Sequence, residues 1–294
     1  MTEPRPAALL LPVAALVAGM VSLQTGAAFA KSLFPLVGAT GVSVLRVGFS
    51  ALILVAVWRP WRRSLPLREA GWILLYGAAL GVMNLLFYLA LRTIPLGPAV
   101  AIEFAGPLAV ALAASRRAAD LAWIALAVLG LWLLLPLGGA SGGVGDLDPV
   151  GVAYALGAAL AWALYILFGQ RAGRAHGGQA VSLGMATAAL VVAPFGLVEA
   201  GADLFAPAVL ASGLVVAVAS SALPYSLEMF ALRRLDRQSF GVMMSLEPAI
   251  AALAALAVLG ERLTAVQGLA IACVIAASAG ITLGSRRRAQ PGLA

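Results

Sequence analysis

The chain has almost none of the residues that hold metals or perform catalysis. Its one cysteine, Cys273, excludes a disulfide framework and a cysteine metal site within the chain, and its apolar surroundings suit a small buried residue. Its one histidine, His176, lies in R-A-G-R-A-H-G-G-Q between two apolar runs, where a solvated loop residue is expected. There is no metal-ligand spacing, no phosphate-cradling glycine loop ending in lysine, and no paired-carboxylate motif on one helix. No cofactor is therefore expected. An intramembrane enzyme is the alternative from a different functional class, and no motif promotes it. Charge is scarce too: 11% of residues are charged against 63% hydrophobic, a balance that excludes an ordinary soluble domain. The net charge of +7 does not indicate nucleic acid, because the arginines form short clusters between apolar runs rather than a stripe on one face.

What the chain has is apolar runs of membrane-spanning length, so its solvent is the lipid bilayer. They fall at about residues 7–29, 41–58, 70–91, 95–114, 121–138, 150–169, 180–198, 208–231, 239–259 and 264–284. The expected class is all-α integral membrane with ten transmembrane helices. Placing Lys and Arg on alternate sides puts Arg5, Arg59, Arg62, Arg63, Arg68, Arg116, Arg117, Arg171, Arg174, Arg233, Arg234, Arg237, Arg286, Arg287 and Arg288 on one side. Only Lys31, Arg92 and Arg262 fall on the other. The positive-inside bias predicts cytoplasmic termini, with the acidic loop residues Asp146, Asp148, Glu199 and Asp203 outside. Ala28-Phe29-Ala30 has the form of a signal-peptidase site, but Glu3 balances Arg5 in the preceding segment and cleavage would leave nine spans, so an uncleaved first span is expected.

Two stretches interrupt the apolar pattern in the same way. In I-E-F-A-G-P-L (102–108) Glu103 precedes Pro107 by four residues, so the proline removes the N–H that would bond the carbonyl of Glu103. In S-L-E-P-A-I-A-A-L (245–253) Glu247 stands directly before Pro248. The surroundings are similar and lie half a chain apart, which makes residues 7–138 and 150–284 two five-helix repeats. An odd number of spans per repeat inverts the second relative to the first, an arrangement that places a substrate site at midplane and supports alternating access. At 1.5 Å per residue each glutamate lies roughly 12 Å from the nearer end of its span, near the centre of a core about 30 Å thick. Side chains this short cannot reach water from there, so both are candidates for binding a proton or a cationic group.

Other polar residues recur at helical spacing. Span 1 offers Ser22, Gln24 and Thr25; span 2, Ser43, Arg46 and Ser50; span 3, Gly77, Gly81, Asn84 and Tyr88. Span 6 offers Trp162, Tyr165 and Gly169, and span 8 has Ser221, Tyr225 and Glu228, with Pro224 freeing the carbonyl of Ser220. Close helix packing is the expected role of the glycines, and a cavity face that of Asn84, Tyr88 and Tyr225. Arg46 and Glu228 lie near the ends of their spans and can snorkel to the interface, and Glu228 can alternatively pair with Arg233 and Arg234. On that reading Arg46 matters less than its charge suggests. The alternative places its guanidinium on a substrate carboxylate.

The midspan Glu near Pro in the fourth helix of each unit, with L-G-E (259–261) after the ninth span, resembles the EamA-type transporters of the drug/metabolite transporter superfamily. Longer strings narrow the resemblance: A-K-S-L-F-P-L-V-G-A (30–39), L-F-Y-L-A-L-R-T-I-P-L-G-P-A-V-A-I-E-F-A-G-P-L-A-V-A-L (86–112), W-A-L-Y-I-L-F-G-Q-R-A-G (162–173), S-A-L-P-Y-S-L-E-M-F-A-L (221–232) and G-V-M-M-S-L-E-P-A (241–249) are similar to amino-acid exporters of the bacterial inner membrane. The resemblance implies export of small neutral amino acids, threonine and homoserine foremost, driven by protons as an antiport. Export of a broader metabolite or drug set on the same scaffold is the alternative. The position matching Glu261 in the first repeat is Arg117, so the L-G-E element exists once and its role is not expected to be symmetric.

Overall fold

The computed structural model describes the backbone of residues 6–62, 65–113, 120–134, 147–232, 234–235, 240 and 243–289. Arg5, Arg63, Arg116, Arg117, Asp146, Arg233 and Arg237 lie outside the described residues, as do the side chains of Arg68, Arg174, His176, Tyr225 and Arg286 to Arg288. All regular structure among the described residues is helical. In chain order the helices are α1 (Pro6–Ser32), α2 (Phe34–Trp58), α3 (Leu67–Ala90), α4 (Leu96–Glu103), α5 (Ala105–Ala113), α6 (Asp120–Leu134), α7 (Pro149–Ala200), α8 (Pro207–Ala217), α9 (Leu223–Leu232), α10 (Glu247–Leu259) and α11 (Ala265–Ala289). A π-helical turn, Val218–Ala222, joins α8 to α9.

Polarity is distributed as a bilayer requires. Leu10, Leu52, Leu190 and Val198 are exposed, while Gln24, Ser43, Arg46, Glu103 and Glu247 are buried. An apolar exterior costs nothing in lipid, and buried polar groups must find partners inside. Among the described residues, five helical segments are long and apolar enough to cross a membrane: Leu10–Ser32, Phe34–Arg62, Glu69–Ala90, Pro149–Ala172 and Gly178–Phe205. The first passes unbroken through Ala28 and Ala30, both fully buried.

The apolar segments Leu96–Val110, Pro207–Ala222 and Glu247–Leu259 are shorter, and prolines account for breaks beside them. Pro107 and Pro248 each deprive the carbonyl four residues earlier of its donor, at positions 103 and 244. The first interruption falls at Phe104, between α4 and α5, and the second is the turn at Ser245 and Leu246 just before α10. Both prolines occupy the first turn of the helix that follows, where a missing N–H costs little. Glu103 thus ends one helix and Glu247 begins another.

Helix α7 carries helical hydrogen bonding from Pro149 to Ala200, yet its two arms lie side by side. The Tyr76 ring of α3 packs against both Gly169 and Gly184, which a straight helix would hold roughly 22 Å apart at 1.5 Å per residue. The chain therefore turns back between them, in agreement with separate spans over 150–169 and 180–198. The expected glycine packing is also present: a Cβ at Gly77 or Gly81 would overlap or crowd the carbonyls of Gly184 and Ala188 on the second arm. Helix α4 packs against α10, α1 against α9 and α10, and α6 against α11. The two helices that carry the midspan glutamates are therefore neighbours.

Candidate functional site

The site forms where α4 ends, α10 begins, and α1, α2 and the π turn close around them. Glu103 and Glu247 are 7% and 4% exposed, and each lies within electrostatic reach of Arg46, with Glu103 also within reach of Glu247. Gln24 of α1 donates from Nε2 to Oε1 of Glu247 at 3.0 Å, a buried bond between residues 223 positions apart. The remaining oxygens, Gln24 Oε1 and Glu247 Oε2, are buried and accept no hydrogen bond from the described residues, and the buried hydroxyl of Ser43 is likewise unpartnered among them. An unmade hydrogen bond at a buried polar atom costs about 1–3 kcal/mol. Acceptors left open beside a carboxylate suit a ligand with several N–H donors, such as an ammonium group.

Arg46 corrects the reading of a snorkelling side chain. It is 8% exposed and turned inward, donating from Nη2 to the carbonyl of Ser220 at 3.1 Å and from Nη1 to the Tyr88 hydroxyl at 3.4 Å. Its guanidinium carbon lies 5.6 Å from the centre of the Tyr88 ring. The acceptor explains the direction. Pro224 leaves the Ser220 carbonyl without its helical donor, and the π turn presents it to α1 and α2. Ser22 bonds the adjacent carbonyl, that of Ala219, at 2.7 Å. A polar target inside the bundle is closer to hand than the interface.

The other singled-out residues divide. Tyr88 is fully buried and packs against Phe34 and Phe87. Asn84 is buried but donates to the carbonyl of Leu80, one turn back on its own helix, which uses part of the donor capacity expected to face the cavity. Trp162 meets Phe104, the residue at the α4–α5 break, edge to face at 5.8 Å. Tyr165 stacks on Tyr76 at 4.9 Å, and this pair lines a cavity of about 220 Å³ with Gly169, Ala172, Ala180 and Val181 between α3 and the two arms of α7. Glu228 lies within electrostatic reach of Glu247 and Tyr165. Arg234, one of the two partners offered as an alternative to snorkelling, is folded over Phe230 at 3.8 Å. Ser43 was visible only as a member of the Arg46 face.

Two further polar clusters lie toward the ends of helices. Glu261 bonds Lys31 at 2.7 Å and the N–H of Leu96 at 2.8 Å. Glu199 pairs with Arg92 at 3.4 Å and accepts from the N–H and hydroxyl of Thr40. Gly38 suits the second cluster: its φ of +68° kinks α2 and strains any L side chain, and a Cβ there would displace the Glu199 carboxylate. Asp148 caps α7 through the N–H of Gly151 at 2.8 Å, and the Thr93 hydroxyl and that N–H hold its carboxyl below the usual range.

A helical bundle with broken helices and buried carboxylates at the breaks is the architecture of a transporter, and relatives bear this out. Residues 149–283 match the EamA-like transporter family. The threonine/homoserine exporter RhtA of Salmonella typhimurium strain SL1344 is 53% identical over 280 residues, covering 95% of this chain and 94% of its own. RhtA of Escherichia coli K12 is 52% identical over the same coverage. The chain belongs to the EamA-like transporter family, and it is a transporter rather than an enzyme. One solved crystal structure covers 98% of this chain and 100% of its own at a TM-score of 0.57 and 21% identity, a likeness of fold.

Proposed function

We propose that the protein exports threonine and homoserine across the bacterial inner membrane in exchange for protons. Identity of 52–53% to exporters of those amino acids supports the substrate class. The observation that carries the mechanism is the meeting of Glu103, Glu247, Gln24 and Arg46 at the junction of interrupted helices. An amino acid needs partners for an ammonium and a carboxylate. Glu247 Oε2 and Gln24 Oε1 offer the first, Arg46 the second, and the Ser43 hydroxyl can meet the side-chain hydroxyl that threonine and homoserine share.

In this reading residues 7–138 and 150–284 are inverted repeats that make ten spans, with both termini in the cytoplasm. The glutamates have unequal roles. Glu247 opens α10, where the helix dipole and the Gln24 amide favour negative charge, whereas Glu103 closes α4, where the dipole opposes it. Glu247 therefore takes the substrate ammonium and Glu103 the proton. Because the two carboxylates lie within electrostatic reach of each other, a cation held by one weakens the hold of the other on its own, so proton and amino acid occupy the site in turn and their movements are coupled.

Efflux from loaded vesicles tests the proposal. Labelled threonine should leave against its gradient when a proton gradient is imposed, and should stop when the gradient is collapsed. Transport of hydrophobic cationic dyes without transport of threonine would instead favour a drug exporter on this scaffold.

A further inference from the structure

The L-G-E element is absorbed neither by the substrate site nor by the repeat, yet its glutamate gathers three separate parts of the chain. Glu261 Oε1 bonds Lys31 Nζ at 2.7 Å, and Oε2 accepts the N–H of Leu96 at 2.8 Å. Lys31 also donates to the carbonyl of Ile94 at 3.0 Å. Both charged side chains are 19% exposed, which limits the screening that makes most surface ion pairs negligible.

The three parts are the ends of the three helices that supply Gln24, Glu103 and Glu247. Lys31 lies seven residues beyond Gln24 on α1, Leu96 seven residues before Glu103 on α4, and Glu261 two residues past the end of α10, which begins at Glu247. Seven residues are two helical turns, so Lys31 and Leu96 stand over Gln24 and Glu103 on the same faces, about 10 Å along the axes. Helices α1 and α4 are thus tied to each other two turns from the carboxylates, and α10 is tied to both at its far end, more than three turns from Glu247. Beneath the tie, Ala27, Ala28, Leu96 and Ala99 are buried in one apolar cluster.

We propose that Lys31 and Glu261 form the bolt of the outer gate. Closed, as here, the pair locks α1, α4 and α10 over the site, and export requires the pair to part so that these helix ends can separate. Glu261 is a positioning residue: it fixes the start of α4 and hence the height of Glu103, and it does not contact substrate. The single copy of L-G-E follows, since a bolt is needed at one mouth in this form. The assignment to the outer mouth rests on the topology proposed above.

Cysteine accessibility tests the bolt. In a Cys273→Ala background, Ala28→Cys places a thiol on the Gln24–Lys31 face beneath the tie, and Ser32→Cys places one at the exposed end of α1 as a marker of sidedness. A membrane-impermeant maleimide is added to intact cells or to inside-out vesicles. Ala28→Cys should react slowly from outside in the parent, at least fivefold faster with Lys31→Met, and at the parent rate with Lys31→Arg. Glu261→Gln, which keeps the Leu96 bond and loses the charge pair, is the second opening variant should Lys31→Met not accumulate. Unchanged labelling in folded Lys31→Met and Glu261→Gln protein, with Ser32→Cys reactive from outside, would overturn the bolt and leave the topology standing. Ser32→Cys reactive only in inside-out vesicles would overturn the topology, and with it the outer gate.

Discussion

Arg46 shows how a single residue can be legible in kind and misread in direction. Its place near the end of an apolar run permits escape to the interface, and only Ser43 and Ser50 on the same face point the other way. The carbonyl that turns it inward belongs to Ser220, 174 positions away, and was itself visible in the sequence as the group left open by Pro224. The two facts join only in the folded chain. The same holds for Gln24, whose partner Glu247 no local pattern announces. Since the guanidinium uses two nitrogens on two acceptors in a fixed fork, a lysine cannot replace it. Arg46→Lys should reduce threonine efflux at least tenfold with normal membrane abundance. Efflux at the parental rate would restore the snorkelling reading.

At the scale of elements, proline position was the most informative signal. Each proline acts on the carbonyl four residues back, so Pro107 breaks the chain after Glu103 and Pro248 breaks it before Glu247, although the motifs look alike when aligned on the glutamate. The consequence, a carboxylate at the end of one helix and at the start of another, is the physical basis for assigning them different tasks. Pro107→Ala and Pro248→Ala return the missing N–H and let each helix grow across its break. Both variants should accumulate normally, melt at or above the parental temperature, and lose most transport. Parental efflux from either would mean that the break at that position is not needed for alternation. The turn inside α7 was legible from its loop composition, whereas helical hydrogen bonding that continues through it was not, because side-chain periodicity does not report where a helix bends.

For the whole molecule, the apolar runs and the buried glutamates were readable because the bilayer penalises polar groups so heavily that each exception stands out. The clusters around Glu261 and Glu199 were not, because their members lie at the ends of different helices and resemble ordinary loop charges. Two of the three basic residues assigned to the sparse side, Lys31 and Arg92, are the cations of those clusters. On the proposed mechanism the tied helix ends and the carboxylates beneath them form one device: a site that holds either a proton or an amino acid, under a mouth closed by the Lys31–Glu261 pair.

The account rests on the two glutamates, and replacing each with glutamine tests it most directly, since the amide keeps shape and hydrogen bonding while removing charge and titration. In vesicles with an imposed proton gradient, Glu103→Gln should lose uphill threonine efflux while retaining exchange of labelled for unlabelled threonine. Glu247→Gln should lose both. If both variants accumulate normally and still export threonine against its gradient, the carboxylates only brace broken helices and the coupling mechanism is wrong.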